Sequence, residues 1–529
     1  MIASHTFAMP TYMTASPSTR RRFPLFADHV WAALGVALVA AAARLAVLPF
    51  ATTDGGDAPS RVWNAWTWMS DPGPITHGVW GPLHTYLIAL SMALVPDPVH
   101  APVALSVGLS VAGAVAMYAF VRVEFGNGRA ALLVALSFAV YPIAIRNGVS
   151  VRSETPFALF LLLSMIAVAL ARREEGSWWH AAAGGLALTL ASMLRYEGWL
   201  LTPLLAVLLW RKPKLLVIFC ACAAIHPVLW MAGNGLHYGD ALYSVNWASR
   251  WELDAMGRAG VDRAALARQA ASYPLTLIRG MTLPLGVIGV AGAALAAATR
   301  HRSRVWLVPL GGLVALWAIA IARGSLVPKL NYTEAAGTLL FPFSALVYER
   351  LGVRRWAAPI FAIVALGLVA TGVIASCRPC LARVGLGRLA GISPIPRIEN
   401  QTVALELPPM LVESMAGGHA ALISDHYGWG APRYVALLTR LHRARIFLAP
   451  GAPNRRLDPD SLSQFLTRNP RGVLVALSGS RFSRALGITP AATSATSGGM
   501  EIRLEKVRSV PWPGREAAEL TVFRYITLP

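Results

Sequence analysis

Charged side chains are scarce in this sequence of 529 residues, because Asp, Glu, Lys and Arg make up only 14% of it. A soluble globular domain carries about 25% of these residues. The hydrophobic share of 55% and the mean hydropathy of +0.52 are correspondingly high. Most of the chain is therefore expected to lie in lipid rather than in water.

Two further absences narrow the function. Only four cysteines are present, which excludes a small fold held together by disulfides. No Walker A or Rossmann glycine motif occurs, which argues against an ATP-driven transporter. The net charge of +21 would indicate a nucleic-acid partner for a soluble protein. In a membrane protein the cationic loops that orient the helices explain such a charge, so we expect no nucleic-acid partner.

The N-terminal region is predicted to contain no cleavable signal peptide. Its first apolar run, residues 30–51, follows a polar tail that ends in three arginines, and it lacks a small-residue cleavage pattern. The run therefore indicates a retained transmembrane helix. We expect residues 1–29 to form a disordered cytoplasmic tail.

Apolar segments recur along the next 350 residues. A helix needs about 20 apolar residues to cross the hydrocarbon core of a bilayer. The candidate spans are 30–51, 101–122, 129–149, 155–171, 178–195, 198–210, 214–232, 274–298, 304–323, 335–349 and 355–376. Residues 80–96 are also long enough to cross, but they could equally lie in the membrane interface.

The distribution of Lys and Arg decides between these two placements of residues 80–96. If this segment does not cross, 16 cations flank one set of helix ends and seven flank the other. The larger set is Arg20–Arg22, Arg122, Arg129, Arg172, Arg173, Arg211, Lys212, Lys214, Arg300, Arg302, Arg304, Arg350, Arg354 and Arg355. The positive-inside rule places that set in the cytoplasm. The sequence therefore predicts eleven crossings of the cytoplasmic (inner) membrane, a cytoplasmic N-terminus and a juxtamembrane helix at 80–96.

The region 377–529 has a different character, because short apolar runs alternate with polar, Pro- and Gly-rich turns. Residues 431–443, which lie between two of these runs, have helical spacing. This pattern is typical of a small α/β domain. The expected fold is thus an α-helical polytopic membrane protein, with a transmembrane domain over 30–376 and an extracytoplasmic α/β domain over 377–529.

Acidic residues of the membrane half gather on the side predicted to be external. They include Asp54 and Asp57 in the first loop (52–100), followed by Glu154 and Glu197. The external space has no ATP or nucleotide sugars, so an enzyme there must use an activated substrate delivered in the membrane. Arg44 lies inside the first span, where an arginine indicates either a functional site or a side chain that snorkels to the surface.

Three short segments carry a resemblance to a known family. They are Asp57-Ala58 with Arg61, then Gly81-Pro82-Leu83, and then Arg152-Ser153-Glu154-Thr155-Pro156-Phe157 at the head of a helix. In order, spacing and side of the membrane they resemble the GT-C glycosyltransferases, in particular the protein O-mannosyltransferases and the aminoarabinose transferases of lipid A. The resemblance covers roughly residues 30–375.

The resemblance implies that a sugar is transferred from a polyprenyl-phosphate carrier, which lies among the membrane lipids, to an acceptor. The transfer inverts the anomeric configuration of the sugar. A carboxylate would take the proton of the acceptor hydroxyl as general base, and cations would stabilise the phosphate leaving group. Asp57 is the candidate base. The family often has two adjacent acids in this loop, whereas here Asp54 lies three residues earlier, so Asp54 stays an alternative.

The remaining candidates also follow from the resemblance. Glu154 is the second acidic position, which orients the acceptor or helps to hold a divalent cation, and metal use stays open. His84 and Glu197 are further candidates for contacts with substrate, although packing also explains His84. The cations that could bind the donor phosphate are Arg61, Arg195, Arg323 and Lys329, and each of them could instead be a snorkelling anchor.

A secondary transporter or a flippase for lipid-linked sugars is the alternative function. Such proteins tend to have paired repeats and charged or broken helices at the middle of the bilayer. Neither feature is evident in the sequence, where the acidic residues gather at one face instead.

Overall fold

The computed structural model describes most of the membrane half and part of the C-terminal region. The described residues are 26–48, 57–73, 78–254, 261–328, 332–351, 411, 414–415, 421–425, 431–439, 441–449, 458–511 and 518–528. Almost all of the predicted tail at 1–29 and the whole predicted span at 355–376 lie outside these residues.

Sixteen α-helices make up the described membrane half. The first eight are α1 (Phe26–Val47), α2 (Ala58–Ser70), α3 (Leu83–Leu94), α4 (His100–Phe125), α5 (Gly128–Ala139), α6 (Pro142–Val149), α7 (Glu154–Ala171) and α8 (Trp178–Ser192). The next eight are α9 (Glu197–Ala206), α10 (Pro213–Tyr238), α11 (Tyr243–Asp254), α12 (Arg263–Gly280), α13 (Leu283–Ala298), α14 (Leu307–Ala322), α15 (Thr333–Leu340) and α16 (Ser344–Leu351).

Helix α7 forms the centre of this bundle. It is apolar around its whole circumference, and 14 of its 18 residues are buried, as expected of a helix that other helices surround. The Ser164 hydroxyl of α7 donates to the carbonyl of Gly184 on α8 at 2.9 Å. Gly185 of α8 lies so close to α10 that an added Cβ would be 2.5 Å from the Phe219 carbonyl oxygen.

The prediction of a polytopic helical membrane protein is confirmed, but the number of eleven crossings is not. Five described segments are long and apolar enough to cross a membrane, and two further pairs of helices qualify if each bent pair is one span. Several predicted spans are shorter than a bilayer requires. Residues 178–195, for example, yield the 15-residue helix α8.

Two predicted spans are broken. Residues 274–298 were expected to form one helix. This prediction is wrong, because α12 and α13 meet at an angle of 111° around Thr282, whose φ is 68°. Residues 129–149 likewise divide into α5 and α6, bent by 56°. In both cases the second helix has a proline in its first turn, Pro284 or Pro142, which lacks the N–H that a continuous helix needs.

Polar side chains satisfy the backbone groups around the break between α5 and α6, since no water is available within a bilayer to do so. Nη1 of Arg44 donates to the carbonyl of Ala139 at 2.7 Å, and its Nε donates to the Ser110 hydroxyl at the same distance. The Ser106 hydroxyl donates to the Ser150 carbonyl at 3.0 Å. Arg44 is fully buried, so it does not snorkel.

The helix ends form two faces. On the basic face, Nη1 of Arg172 is 3.4 Å from the carboxylate of Glu124, and Arg302 donates to the Glu124 carbonyl. The opposite face, here called the site face, carries the starts of α2, α7 and α9.

Both ends of α3 lie on the site face. The Leu83 backbone N–H donates to the carbonyl of Met193 at 3.3 Å, and Pro98, just beyond α3, lines a small apolar cavity together with Ala58 and Val62 of α2. Helix α3 therefore does not connect the two faces.

The C-terminal region contains a six-stranded sheet in the order β2-β1-β3-β6-β5-β4. Its strands are β1 (Leu422–Ser424), β2 (Ile446–Leu448), β3 (Arg471–Leu477), β4 (Ser494–Ser497), β5 (Met500–Pro511) and β6 (Glu519–Leu528). The strands β2, β1 and β3 are parallel, and the other pairings are antiparallel. Its helices are α17 (Ala431–Leu438), α18 (Pro459–Arg468) and α19 (Arg481–Ala485). The predicted α/β character of this region is confirmed.

This domain packs on the site face. Leu437 of α17 lines the cavity beside α2 and also adjoins Val151, which precedes α7. One buried apolar cluster includes Val62 of α2 and Val435 of α17. The C-terminal domain thus contacts both α2 and the turn that leads into α7.

Candidate active site

Asp57 and Arg61 lie at the start of α2. Asp57 is the N-terminal cap residue, is exposed, and accepts the Arg61 backbone N–H at its own carbonyl, at 2.9 Å. The Arg61 guanidinium lies over the Trp80 ring, 4.4 Å from its centre, which is a favourable cation–π geometry. Helix α2 thus presents a carboxylate and a guanidinium one turn apart.

His84 supports Arg61 from α3. Nη1 of Arg61 lies 3.4 Å from Nδ1 of His84, and the imidazole is 4% exposed. Burial, assisted by the positive charge of Arg61, lowers the pKa of His84 well below its ordinary value. The imidazole is therefore neutral, and its Nδ1 accepts a hydrogen bond from the guanidinium.

Arg61 is suited to bind an anion. Burial lowers the pKa of its guanidinium, and the negative charges of Asp57 and Glu154 offset this only in part. Among the described residues, no carboxylate lies within 4 Å of Arg61. A half-buried cation is partly removed from water, so without a close counter-ion it would be stabilised by an anionic ligand.

Arg195 holds two glutamates together. It lies in the turn between α8 and α9, where Nη1 is 3.0 Å from the Glu154 carboxylate and Nη2 is 2.7 Å from that of Glu197. Its guanidinium also lies 4.8 Å from the centre of the Tyr332 ring. Burial acts to lower the pKa of Arg195, but the two carboxylates outweigh it and raise this pKa well above its ordinary value. Arg195 thus fixes the acidic side chains and has little capacity left for a phosphate.

The segment that carries Trp80 is packed against the Arg195 turn. Gly81 has no room for a side chain, because an added Cβ would lie 2.2 Å from the Met193 carbonyl oxygen. The hydroxyl of Tyr196 donates to the carbonyl of Val79. The positions of Arg61, through Trp80, and of Arg195 are therefore linked.

Asn147 and Glu334 form a second polar group behind Glu154. Nδ2 of Asn147 donates to Oε2 of Glu334 at 2.6 Å, and both residues are almost completely buried. Glu334 was not selected from the sequence as a site residue. The same is true of Arg152, a neighbour of Glu154 whose charge acts on Arg61. The position of Arg152 within the segment 152–157 was the available signal.

The structure brings together five of the eight predicted site residues: Arg61, His84, Glu154, Arg195 and Glu197. Asp57 lies beside them, exposed at the start of α2. Arg323 is exposed at the end of α14 and has no contact with them among the described residues. Lys329, like the alternative base Asp54, lies outside the described residues. No group of three His, Cys, Asp or Glu side chains able to hold a metal ion occurs in the described part of the chain.

Comparison with known proteins gives one family match and several structural matches. Residues 77–231 match the family model described as dolichyl-phosphate-mannose-protein mannosyltransferase. The fold resembles the crystal structure of ArnT from Cupriavidus metallidurans in the apo state, with a TM-score of 0.58 and 14% identity over 94% of this chain and 97% of that one.

ArnT bound to undecaprenyl phosphate matches similarly, with a TM-score of 0.57 and 15% identity over 94% and 98% of the two chains. No curated protein sequence matches significantly. This chain therefore shares the fold of ArnT, and its residues 77–231 are similar to the mannosyltransferase family.

Proposed function

We propose that the protein is an inverting glycosyltransferase that moves a sugar from a polyprenyl-phosphate carrier to an acceptor hydroxyl. The site face would be the external side of the cytoplasmic membrane, because the opposite face carries the cations that the positive-inside rule assigns to the cytoplasm. The ArnT structure with undecaprenyl phosphate supports a donor of this class.

The reaction needs one base and several cations. The acceptor oxygen attacks the anomeric carbon, the bond between that carbon and the phosphate oxygen breaks, and the electron pair leaves with the phosphate. The acceptor proton passes to Asp57, whose exposed carboxylate is accessible to an acceptor that arrives from water. One displacement at one carbon inverts the anomeric configuration.

Arg61 stabilises the charge that develops on the phosphate. Its guanidinium is half-buried, is held by Trp80 and His84, and has no carboxylate within 4 Å among the described residues. Such a preorganised cation stabilises a leaving group more effectively than a solvated one. Arg152 is the next cation in this part of the site, and Arg323 and Lys329 remain candidates on the grounds of resemblance alone.

Glu154 orients the acceptor and does not take its proton. Its carboxylate is held by Arg195 at 3.0 Å, and a carboxylate paired in this way is a weaker base than a free one. Arg195 and Glu197 are accordingly positioning residues.

The observation that carries the proposal is the arrangement of Asp57, Arg61 and the Glu154–Arg195 pair at one face of a GT-C fold. The test is transfer of radiolabelled sugar from polyprenyl-phosphate donors in membranes containing the protein, with the anomeric configuration of the product determined by NMR. Retention of configuration would contradict the single displacement, and absence of transfer from every donor would contradict the activity.

Two observations favour a transporter or flippase instead. Broken helices such as α5 with α6, and a buried arginine such as Arg44, occur in transporters. Arg44, however, bonds the carbonyl that the break exposes. Movement of a fluorescent polyprenyl-phosphate sugar across reconstituted vesicles, without an acceptor, would favour the transporter.

A further inference from the structure

Four buried polar atoms around Glu154 have no hydrogen-bond partner among the residues that the structure describes. They are Oδ1 of Asn147, Nε of Arg152, Oγ of Ser153 and Oγ1 of Thr155. Eleven such side-chain atoms occur among all the described residues. Four of them thus fall within nine consecutive residues, from the end of α6 to the start of α7.

The burial of the two hydroxyls is close to complete, since Ser153 and Thr155 are each 1% exposed. Ser153 is the N-terminal cap residue of α7, yet its side chain caps no backbone N–H. A buried polar group left without a partner costs about 1–3 kcal/mol. Unpaired groups of this kind are stabilised by a ligand whose hydrogen-bonding groups match them.

The other buried serine hydroxyls of α4 and α7 are all paired. Ser106 and Ser110 of α4 donate to carbonyls of the α6 segment, and Ser164 of α7 donates to the carbonyl of Gly184 at 2.9 Å. Within α4 and α7, the unpaired hydroxyls are the two at the end of α7 that reaches the site face. Their position next to Glu154 links them to the candidate active site.

The chemistry of the group identifies the kind of ligand. Nδ2 of Asn147 donates to the Glu334 carboxylate at 2.6 Å, which fixes Oδ1 as the unpaired atom, and this atom can only accept. The phosphodiester of a lipid-linked sugar is a monoanion without a proton to donate, so it cannot satisfy this atom. Sugar hydroxyls both donate and accept, so they match Asn147, Ser153 and Thr155 together.

We propose that Asn147, Ser153 and Thr155 form the subsite that binds hydroxyl groups of the transferred sugar. The inference rests on the proposed function, because it assumes that the donor is a lipid-linked sugar. It divides the donor between two parts of the site, with the phosphate at Arg61 and the sugar hydroxyls at the start of α7.

The test compares Thr155→Val and Ser153→Ala with the control Ser164→Ala, which removes a paired hydroxyl from the same helix. Two quantities are measured on each purified protein: the melting temperature without ligand, and the Kd for undecaprenyl phosphate and for a panel of undecaprenyl-phosphate hexoses and pentoses. The panel member that the wild type binds most tightly is then used for all variants.

We expect Thr155→Val and Ser153→Ala to melt at or above the wild-type temperature, because each removes an unpaired buried group. Both should bind undecaprenyl phosphate normally and bind the sugar-linked lipid about 3–10-fold more weakly, the value of one hydrogen bond. Ser164→Ala should melt lower and keep wild-type affinity for both lipids.

Three results would overturn the inference. The first is a lower melting temperature for Thr155→Val and Ser153→Ala with sugar affinity unchanged, which indicates a structural role. The second is an equal loss of affinity for both lipids, which assigns the hydroxyls to the phosphate or the polyprenyl chain. The third is a wild type that binds no sugar-linked lipid more tightly than undecaprenyl phosphate. Failure to bind undecaprenyl phosphate at all would instead contradict the proposed function.

Discussion

Arg195 forms ion pairs with Glu154 at 3.0 Å and with Glu197 at 2.7 Å, although the three residues belong to two different helix ends. The side chains are largely buried, with exposed fractions of 13%, 10% and 12%. This pairing ties the start of α7 to the turn before α9. It also explains why a cation that sequence reasoning assigned to the phosphate is better regarded as the support of an acidic residue.

Loss of Arg195 should destabilise the protein strongly. Arg195→Gln leaves two buried carboxylates without their cation, and breaking a buried pair in this way costs about 3–5 kcal/mol. Chemical unfolding in detergent measures this loss. Arg172→Gln is the matched control, since Arg172 pairs with the single acid Glu124 at the longer distance of 3.4 Å and should cost less.

The double variant Arg195→Gln/Glu197→Gln separates charge from packing. It removes one of the two uncompensated carboxylates, so it should be more stable than Arg195→Gln alone. If the double variant is the less stable one, the contribution of Arg195 lies in packing, for instance against Tyr332, rather than in charge.

Arg61 is the cation on which leaving-group stabilisation is expected to depend most. Arg61→Gln should lower kcat about 10²–10³-fold, by analogy with deletion of one donor from an oxyanion hole. Arg61→Lys should recover only part of this, because an ammonium group does not reproduce the planar stacking on Trp80. Single-turnover transfer from a polyprenyl-phosphate donor gives the rates. Arg250→Gln, at an exposed arginine of α11, should transfer normally, and equal losses in both variants would contradict the role of Arg61.

His84 should make stability depend on pH. Burial and the charge of Arg61 lower its pKa in the folded protein well below the ordinary value of 6.5. The unfolded chain therefore binds a proton at His84 as pH falls through about 6.5, whereas the folded chain does not. The contribution of His84 to the free energy of unfolding is therefore complete above this pH. Below it, this contribution declines by at most about 1.4 kcal/mol per pH unit.

His84→Asn is the corresponding variant, because its amide oxygen can still accept from Arg61 and does not titrate. Its melting temperature should fall less than that of the wild type between pH 7.5 and 5.5. His100→Asn, at an exposed histidine, should behave like the wild type. A wild-type fall identical to that of His84→Asn would show that His84 does not cause the pH dependence.

The sides of the membrane can be tested with fused reporters. A reporter placed after Pro96 should be external and one after Arg302 cytoplasmic, because α3 starts and ends on the site face while Arg302 contacts Glu124 on the basic face. Alkaline phosphatase and green fluorescent protein fusions, respectively, are active on these two sides. A cytoplasmic signal after Pro96 would place the candidate site on the wrong side for the proposed donor.

The sequence predicted most of the residues that the structure brings together at the candidate site, because Arg61, Glu154 and Arg195 each lie at an end of an apolar run on the side poor in cations. What could not be predicted are the contacts between distant segments. The bond between Asn147 and Glu334 joins residues 187 positions apart, and no local pattern indicates it.

The helix breaks were predictable in principle, since Pro142 and Pro284 interrupt apolar runs. Hydropathy averages over such prolines, and it therefore predicted continuous spans at 129–149 and 274–298. The buried position of Arg44 was undecided for a related reason. Only the break after α5 exposes the Ala139 carbonyl that Arg44 binds.

The proposed mechanism depends above all on Asp57. Asp57→Asn is nearly isosteric, and the residue is exposed, so the variant should insert and fold as the wild type does. It should lose about 10²–10⁴-fold in transfer rate, because an amide cannot take the proton of the acceptor hydroxyl. Donor binding should change little, since the phosphate is assigned to Arg61. The measurement is label transfer in membranes that contain equal amounts of each variant.

Asp54→Asn is the matched comparison, three residues earlier in the same loop, and its loss of transfer rate should be much smaller. A reversed order, with Asp54→Asn inactive, would move the base to Asp54 and preserve the mechanism, whereas wild-type rates in both variants would remove the base from the first loop and favour the transporter.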